Sequence, residues 1–228
     1  MQQIILGKSV KNKEVKGYSF GDSDSFNKTL IIGCIHGCEP QSKEVCEMYI
    51  EENKDKPFMD NSYLLIIPCL NPDGLELNTR TNANGVDLNR NFPSNTWRPV
   101  LKNEDKSPYY PGVSAGSEPE TKIIIDLLKK NNFKKIISIH TNHFIQNPNP
   151  PMINFDGEDS MELAEKLGQV IHLPVHSDIG YSTPGSLGTW VGIELKKISI
   201  TIELDDKKKS AELYKKHSAL FEVCVGEI

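Results

Sequence analysis

The chain has 228 residues, 37% hydrophobic and 25% charged, with a formal net charge of -5. That length supports one sizeable core and is short for two, so residues 1–228 are expected to form a single domain. The acidic balance excludes the basic face that a nucleic-acid partner demands, and no apolar stretch approaches membrane-spanning length, which points to small molecules or peptides as ligands.

Taken in order, Met1 to Lys8 lacks the long apolar core of a secretory signal, and Ile4 to Phe20 alternates as edge strands or a hairpin. Gly21 to Asn27 is a polar turn. The apolar run Thr29 to Ile35 predicts a buried strand, and Glu39 to Glu52 a helix whose apolar positions Val45, Met48 and Tyr49 recur at helical spacing. Ser62 to Leu70 predicts a second buried strand, ended by a turn at Asn71-Pro72-Asp73-Gly74. Strand, helix, strand in that order suggests a crossover in a parallel or mixed sheet.

From Leu75 to Ser117 the periodicity vanishes, and a loop of that length is usually functional. Ser117 and Glu120 have capping-box spacing and open an amphipathic helix through Leu128. Lys134 to His140 predicts a third buried strand, followed by a loop (Asn142 to Pro151), a short strand (Met152 to Phe155) and a helix (Ser160 to Ile171). A loop through Tyr181 to Ser186 leads to a short helix (Leu187 to Glu194). Ile198 to Ile202 predicts a fourth strand ending at Glu203, and a closing helix spans Ser210 to Val223. The fold class expected is α/β, a mixed and mostly parallel twisted central sheet with helices on both faces. The five cysteines, Cys34, Cys38, Cys46, Cys69 and Cys224, are odd in number and mostly sit in apolar runs, which suits reduced thiols and a cytoplasmic location.

Three residues able to bind or activate a metal fall at carboxyl ends of buried strands: His36, His140 and Glu203. Open α/β sheets bind ligands in the crevice outside those ends. Glu39, three residues after His36, reads either as a carboxylate complementing a helix N-terminus or as a second metal ligand across a turn. Two imidazoles and a carboxylate match a catalytic zinc site with an open fourth position, and Glu203 would be a base beside it. His143 is a rival ligand, Cys38 a bystander, and His172, His176 and His217 structural. In the long loop, Arg80 and Arg90 suit oxyanion stabilisation and bidentate grip of a carboxylate, or else are plain surface charges.

His36-x-x-Glu39, Asn71-Pro72-Asp73-Gly74, Arg80, Asn89-Arg90-Asn91-Phe92-Pro93, Ser117-Glu118-Pro119-Glu120-Thr121, His140 and Glu203 together resemble the zinc carboxypeptidase family in order and spacing. The run from Arg80 to Pro93, His36-Gly37-Cys38-Glu39, and Gly180-Tyr181-Ser182-Thr183-Pro184-Gly185-Ser186 are more narrowly similar to bacterial murein peptide amidases. The resemblance implies one Zn2+ on His36, Glu39 and His140, with Glu203 as general base and Arg80 polarising the scissile carbonyl. It further implies that Asn89 and Arg90 hold the carboxylate of the released residue, that Tyr181 closes over substrate, and that Leu187 lies in the specificity pocket. The implied partner is murein tripeptide or a similar peptide with a free carboxylate, cut between γ-D-glutamate and meso-diaminopimelate. The same fold also serves carboxypeptidases and N-acyl amino acid deacylases, and a metal-free peptide-binding module is the reading from another class.

Overall fold

The apolar runs become the middle of an eight-stranded sheet in the computed structural model, which describes residues 1–99, 109–142 and 150–226. Its strands are β1 (Gln2–Lys8), β2 (Glu14–Gly21), β3 (Asn27–Gly33), β4 (Ser62–Ile67), β5 (Lys135–Thr141), β6 (Met152–Asp156), β7 (Val175–His176) and β8 (Ile198–Leu204). They lie in the order β1-β2-β4-β3-β5-β8-β6-β7. The four central strands β4, β3, β5 and β8 are parallel, while the β1–β2 hairpin and β6 join antiparallel. The mixed, mostly parallel sheet expected from the sequence is therefore present, and the N-terminal alternation is a hairpin.

Central strands buried on both faces need continuous apolar sequence rather than alternation, and β3 shows why. Leu30 and Ile32 face one core with Ile123, Ile124 and Leu128 of α3 (Pro119–Lys130). Ile31 faces the other, with Val45 and Tyr49 of α1 (Pro40–Asn53), Leu163 and Leu167 of α4 (Met161–Ile171), and Leu220 and Phe221. Helices thus cover both faces. Each of those fully buried aliphatic side chains contributes about 1.5–3 kcal/mol relative to exposure.

Local details depart from expectation in four places. Asn71 to Gly74 is not a free turn but the start of α2 (Pro72–Leu77), because Asn71 Oδ1 caps the Gly74 amide at 2.9 Å. Ser117 and Glu120 do not form a capping box. Glu118 takes the N-cap position of α3 without a side-chain capping bond, Ser117 Oγ donates to Glu118 Oε1, and Glu120 accepts from the Val10 amide and from Asn82 Nδ2. The helix expected over Leu187 to Glu194 is a π-helical turn at Thr189–Glu194, closed by Leu195 N on Trp190 O. The closing helix divides at Ser218 into α5 (Ser210–His217) and α6 (Ala219–Val225).

The long loop is ordered by its own amides across its described parts. Asn82 Nδ2 donates to Glu118 and Glu120, and Asn91 Nδ2 reaches the carbonyls of Pro111 and Ser114. Phe92 is fully buried and stacks on Trp190 with centroids 5.8 Å apart. These anchors hold the turn of 3₁₀ helix at Leu88–Arg90 over the carboxyl ends of β3, β5 and β8.

Candidate active site

The sheet order makes β3, β5 and β8 neighbours, so their carboxyl ends meet. His140 pairs in register with Glu203 on the adjacent parallel strand, and His36 lies three residues beyond the end of β3. Glu39 is the N-cap residue of α1, yet its side chain makes no capping bond. It turns instead to the histidines, with His36 Nδ1 2.7 Å from Oε1 and His140 Nδ1 2.9 Å from Oε2. The two Nδ1 atoms are 3.2 Å apart. Of the two directions open to Glu39 from sequence, its side chain takes the one toward the imidazoles rather than the amides of α1.

That donor set fits a metal. One ligand atom each from His36, Glu39 and His140 falls within 4.8 Å of the others, and all three side chains are at least 95% buried. Donors about 2.0–2.1 Å from a tetrahedral zinc are about 3.3 Å apart, close to the spacing of the two nitrogens. Burial alone would raise the Glu39 carboxyl, but the imidazoles outweigh it and hold the group well below the usual carboxylate range.

The turn carrying these ligands is fixed by two glycines and an asparagine. A Cβ on Gly37 would lie 1.9 Å from the carbonyl carbon of Gly74, so only glycine lets the turn pack on α2. Asn71 closes the junction, donating from Nδ2 to Ile35 O while capping α2. A Cβ on Gly74 would in turn meet Asn71 and the Thr81 carbonyl at 2.5 Å. Cys38 is buried beside this turn, and its thiol is pushed up to about 12, by burial first and then by Glu39. It is not one of the converging donors among the described residues, as expected of a bystander.

Asp87, which sequence reasoning passed over, ties the metal side to the loop. Its Oδ1 accepts from the Asn89 amide and lies 3.2 Å from His36 Nε2, while Oδ2 accepts from Arg80 Nε at 2.9 Å. A carboxylate on His36 Nε2 selects the tautomer whose Nδ1 lone pair faces the cluster. Asp87 is fully buried, yet the neighbouring Arg80 holds its carboxyl well below the ordinary range. The available signal was its place between Val86 and Leu88 in an otherwise polar loop, which predicts a buried and therefore partnered charge.

Arg80, Asn89, Arg90, Tyr181 and Glu203 line one cleft with His36 and Glu39. Tyr109, also missed, places its ring 5.0 Å from the Arg80 guanidinium and 5.8 Å from that of Arg90. Arg90 is 5% exposed and has no carboxylate partner among the described residues. Asn89 Oδ1 accepts from the Leu187 amide, leaving Nδ2 as its donor. Glu203 is 7% exposed, without a hydrogen-bond partner among the described residues, and burial pushes its carboxyl up to about 7. Tyr181 is 44% exposed on the loop between Gly180 and Gly185, both at positive φ. Leu187 does not enter the cleft. It is 2% exposed in the core beside α3, and its neighbours Ser186 and Gly188 line the wall instead, a shift of one position.

Of the other histidines, His217 is buried with Nδ1 on Ile171 O, His172 is the left-handed residue closing α4, and His176 lies on β7. His143 falls outside the described residues.

A family model described as zinc carboxypeptidase matches residues 1–224. The chain belongs to the zinc carboxypeptidase family. Within that family it is 35% identical over 133 residues to murein peptide amidase A of Escherichia coli (strain K12), covering 55% of this chain and 51% of that one. It is 35% identical over 151 residues to murein peptide amidase A of Vibrio campbellii (strain ATCC BAA-1116), with 61% and 55% covered. The chain thus spans about half the length of these curated relatives. The crystal structure of murein-tripeptide amidase from Escherichia coli O157 superposes with a TM-score of 0.79 at 26% identity, covering 100% of this chain and 94% of that one. Carboxypeptidase A of Helicoverpa armigera shares the fold, with a TM-score of 0.78 at 18% identity and 97% and 66% covered. Membership places the chain in a family described by its zinc, and the cluster of His36, Glu39 and His140 is able to hold a metal. No helix among the described residues is long and apolar enough to cross a membrane.

Proposed function

We propose that this chain is a zinc-dependent amidase that hydrolyses the γ-D-glutamyl-meso-diaminopimelate bond of murein tripeptide, a recycling step in the cytoplasm. The observation that carries the reading is the buried Arg90 guanidinium, without a carboxylate partner among the described residues, in one cleft with the His-Glu-His cluster. A desolvated cation held open beside a hydrolytic centre is suited to a substrate that brings its own carboxylate. The similarity to murein peptide amidases supports the particular peptide.

His36, Glu39 and His140 would hold the zinc, which when bound acts as a Lewis acid on the scissile carbonyl and lowers the pKa of a water. Arg90 and the Asn89 amide donor grip the carboxylate of the residue to be released, fixing the peptide bond over Glu203. Glu203, ionisable near neutrality, takes the proton of the attacking water and returns it to the leaving amine. Arg80, oriented by Asp87 through Nε, presents the rest of its guanidinium to the developing oxyanion. Tyr181 lies on the exposed side of the cleft, where its ring covers the substrate and excludes water.

Mass spectrometry of murein tripeptide incubated with zinc-loaded protein tests this directly. Free diaminopimelate is expected, and its release should stop with a chelator. A fully zinc-loaded protein that frees none overturns the substrate assignment.

A further inference from the structure

Arg80 and Arg90 bring two like charges into one cleft, and among the described residues each guanidinium makes a single hydrogen bond. Arg80 Nε donates to Asp87 Oδ2 at 2.9 Å, and Arg90 Nη1 donates to the Asn89 carbonyl at 2.8 Å. One bond leaves a planar group free to swing about it. A bidentate grip on a carboxylate and an aimed oxyanion contact both need the plane fixed. Both side chains are withdrawn from solvent, so their mutual repulsion is poorly screened by water.

What the two guanidiniums share is Tyr109, which lines the cleft with them. Its ring centroid is 5.0 Å from Arg80 Cζ and 5.8 Å from Arg90 Cζ, both inside the reach of about 6 Å for a cation–π contact. The face of an aromatic ring carries negative potential, so one ring attracts both cations and offsets part of their repulsion. The backbone around Tyr109 is tied to the same 3₁₀ turn that carries Asn89 and Arg90. The Asp87 amide donates to the Tyr110 carbonyl at 2.8 Å, and Asn91 Nδ2 and Trp97 Nε1 donate to the Pro111 carbonyl at 2.7 and 3.3 Å. Gly112, at φ 87°, then turns the chain where a Cβ would lie 2.6 Å from Ser117 Oγ. The ring is therefore held by the frame that holds Arg90, while Arg80 arrives from the other end of the loop.

We infer that Tyr109 is a positioning residue of the cleft: its one aromatic face orients both arginines, Arg90 for the substrate carboxylate and Arg80 for the developing oxyanion. The inference rests on the proposed hydrolytic reading for those two tasks, and adds the group that couples them. A shared ring serves substrate binding through one arginine and the transition state through the other. Its loss should therefore raise KM and lower kcat together.

Ring substitution tests this on zinc-loaded protein with murein tripeptide. Tyr109→Phe keeps the aromatic face and should stay within about twofold of wild type, whereas Tyr109→Leu should raise KM and lower kcat, each by about 2- to 30-fold. Phenylalanines bearing one, two or three ring fluorines in place of Tyr109 keep the shape while draining charge from the face. They should fall in a graded series between those two variants, a response that packing alone does not give and that does not depend on Tyr109→Leu folding. Calorimetric titration with free meso-diaminopimelate follows the Arg90 contact without turnover, and affinity should fall along the same series. A protein that cleaves no tripeptide but shows the graded loss of affinity loses the hydrolytic reading and keeps the orienting ring. No dependence on fluorination in either readout, or a Tyr109→Phe as impaired as Tyr109→Leu, overturns the inference.

Discussion

Two carboxylates in one cleft are left without partners among the described residues, and their surroundings separate their roles. Glu203 pairs in register with His140 and is raised to about 7 by burial, so it can both accept and return a proton near neutrality. Glu203→Gln keeps the size and removes the base. Turnover should fall by about 100- to 10,000-fold while the zinc content of the purified protein stays at that of wild type. A variant that retains turnover would show that Glu203 is not the base. Asp156 is the opposite case, a group whose charge works against the fold. In the native protein it keeps its proton up to about pH 6, whereas in the unfolded chain it releases it near 3.8. Between those values the native state binds more protons, so stability falls as pH rises, and above about 6 the full penalty is present. Asp156→Asn should therefore stabilise the ligand-free protein by about 1–3 kcal/mol at pH 7.5 and by much less at pH 4.5. Urea midpoints at the two pH values measure it, and equal midpoints would mean that the carboxylate is not desolvated as described.

The metal-side turn shows how an element is set by close approach rather than by propensity. Gly37 passes so near the first turn of α2 that a methyl group there would overlap the backbone of Gly74. Gly37→Ala should cost about 3 kcal/mol of stability, the upper range for forced overpacking, and should weaken zinc binding because the displaced turn carries both His36 and Glu39. Denaturant midpoints and zinc titration report the two effects, and unchanged values in both would show that the turn has slack. The turn also shows what was legible before folding. His36, Glu39, His140 and Glu203 could be read because buried parallel strands announce themselves as apolar runs, and ligands gather at their carboxyl ends. Asn71 was read as a turn residue, since its capping of Gly74 depends on helical φ/ψ values that a six-residue segment does not advertise. Ser117 and Glu120 had capping-box spacing, but tertiary partners, Asn91 for one and Val10 with Asn82 for the other, outbid the local pattern. Asp87 and Asp156 were passed over for a related reason. Each draws its meaning from groups distant in sequence, His36 and Arg80 in one case and Gly188 in the other. Leu187 was placed in the pocket by the resemblance alone, and a resemblance across a loop does not fix position to the residue: Ser186 and Gly188 line the cleft instead.

Across the whole molecule, the proposed metal would join elements far apart in sequence. His36 and Glu39 follow β3, His140 ends β5, and those strands are adjacent at the centre of the sheet although the long loop and α3 intervene. The three proposed ligands come together only in the folded chain, so zinc would bind the native state and raise its stability by mass action. At a hundredfold excess over the dissociation constant the gain is about 2.7 kcal/mol, which for a chain of this size raises Tm by about 5–10 °C. Differential scanning calorimetry with and without a chelator should show that shift. His140→Ala should abolish it, and Cys38→Ser should leave it intact, because the Cys38 thiol lies outside the donor set. The readout needs no substrate, so it separates the metal site from the peptide assignment: a Tm indifferent to zinc in wild type would remove the metal centre itself, whatever the cleft is found to bind.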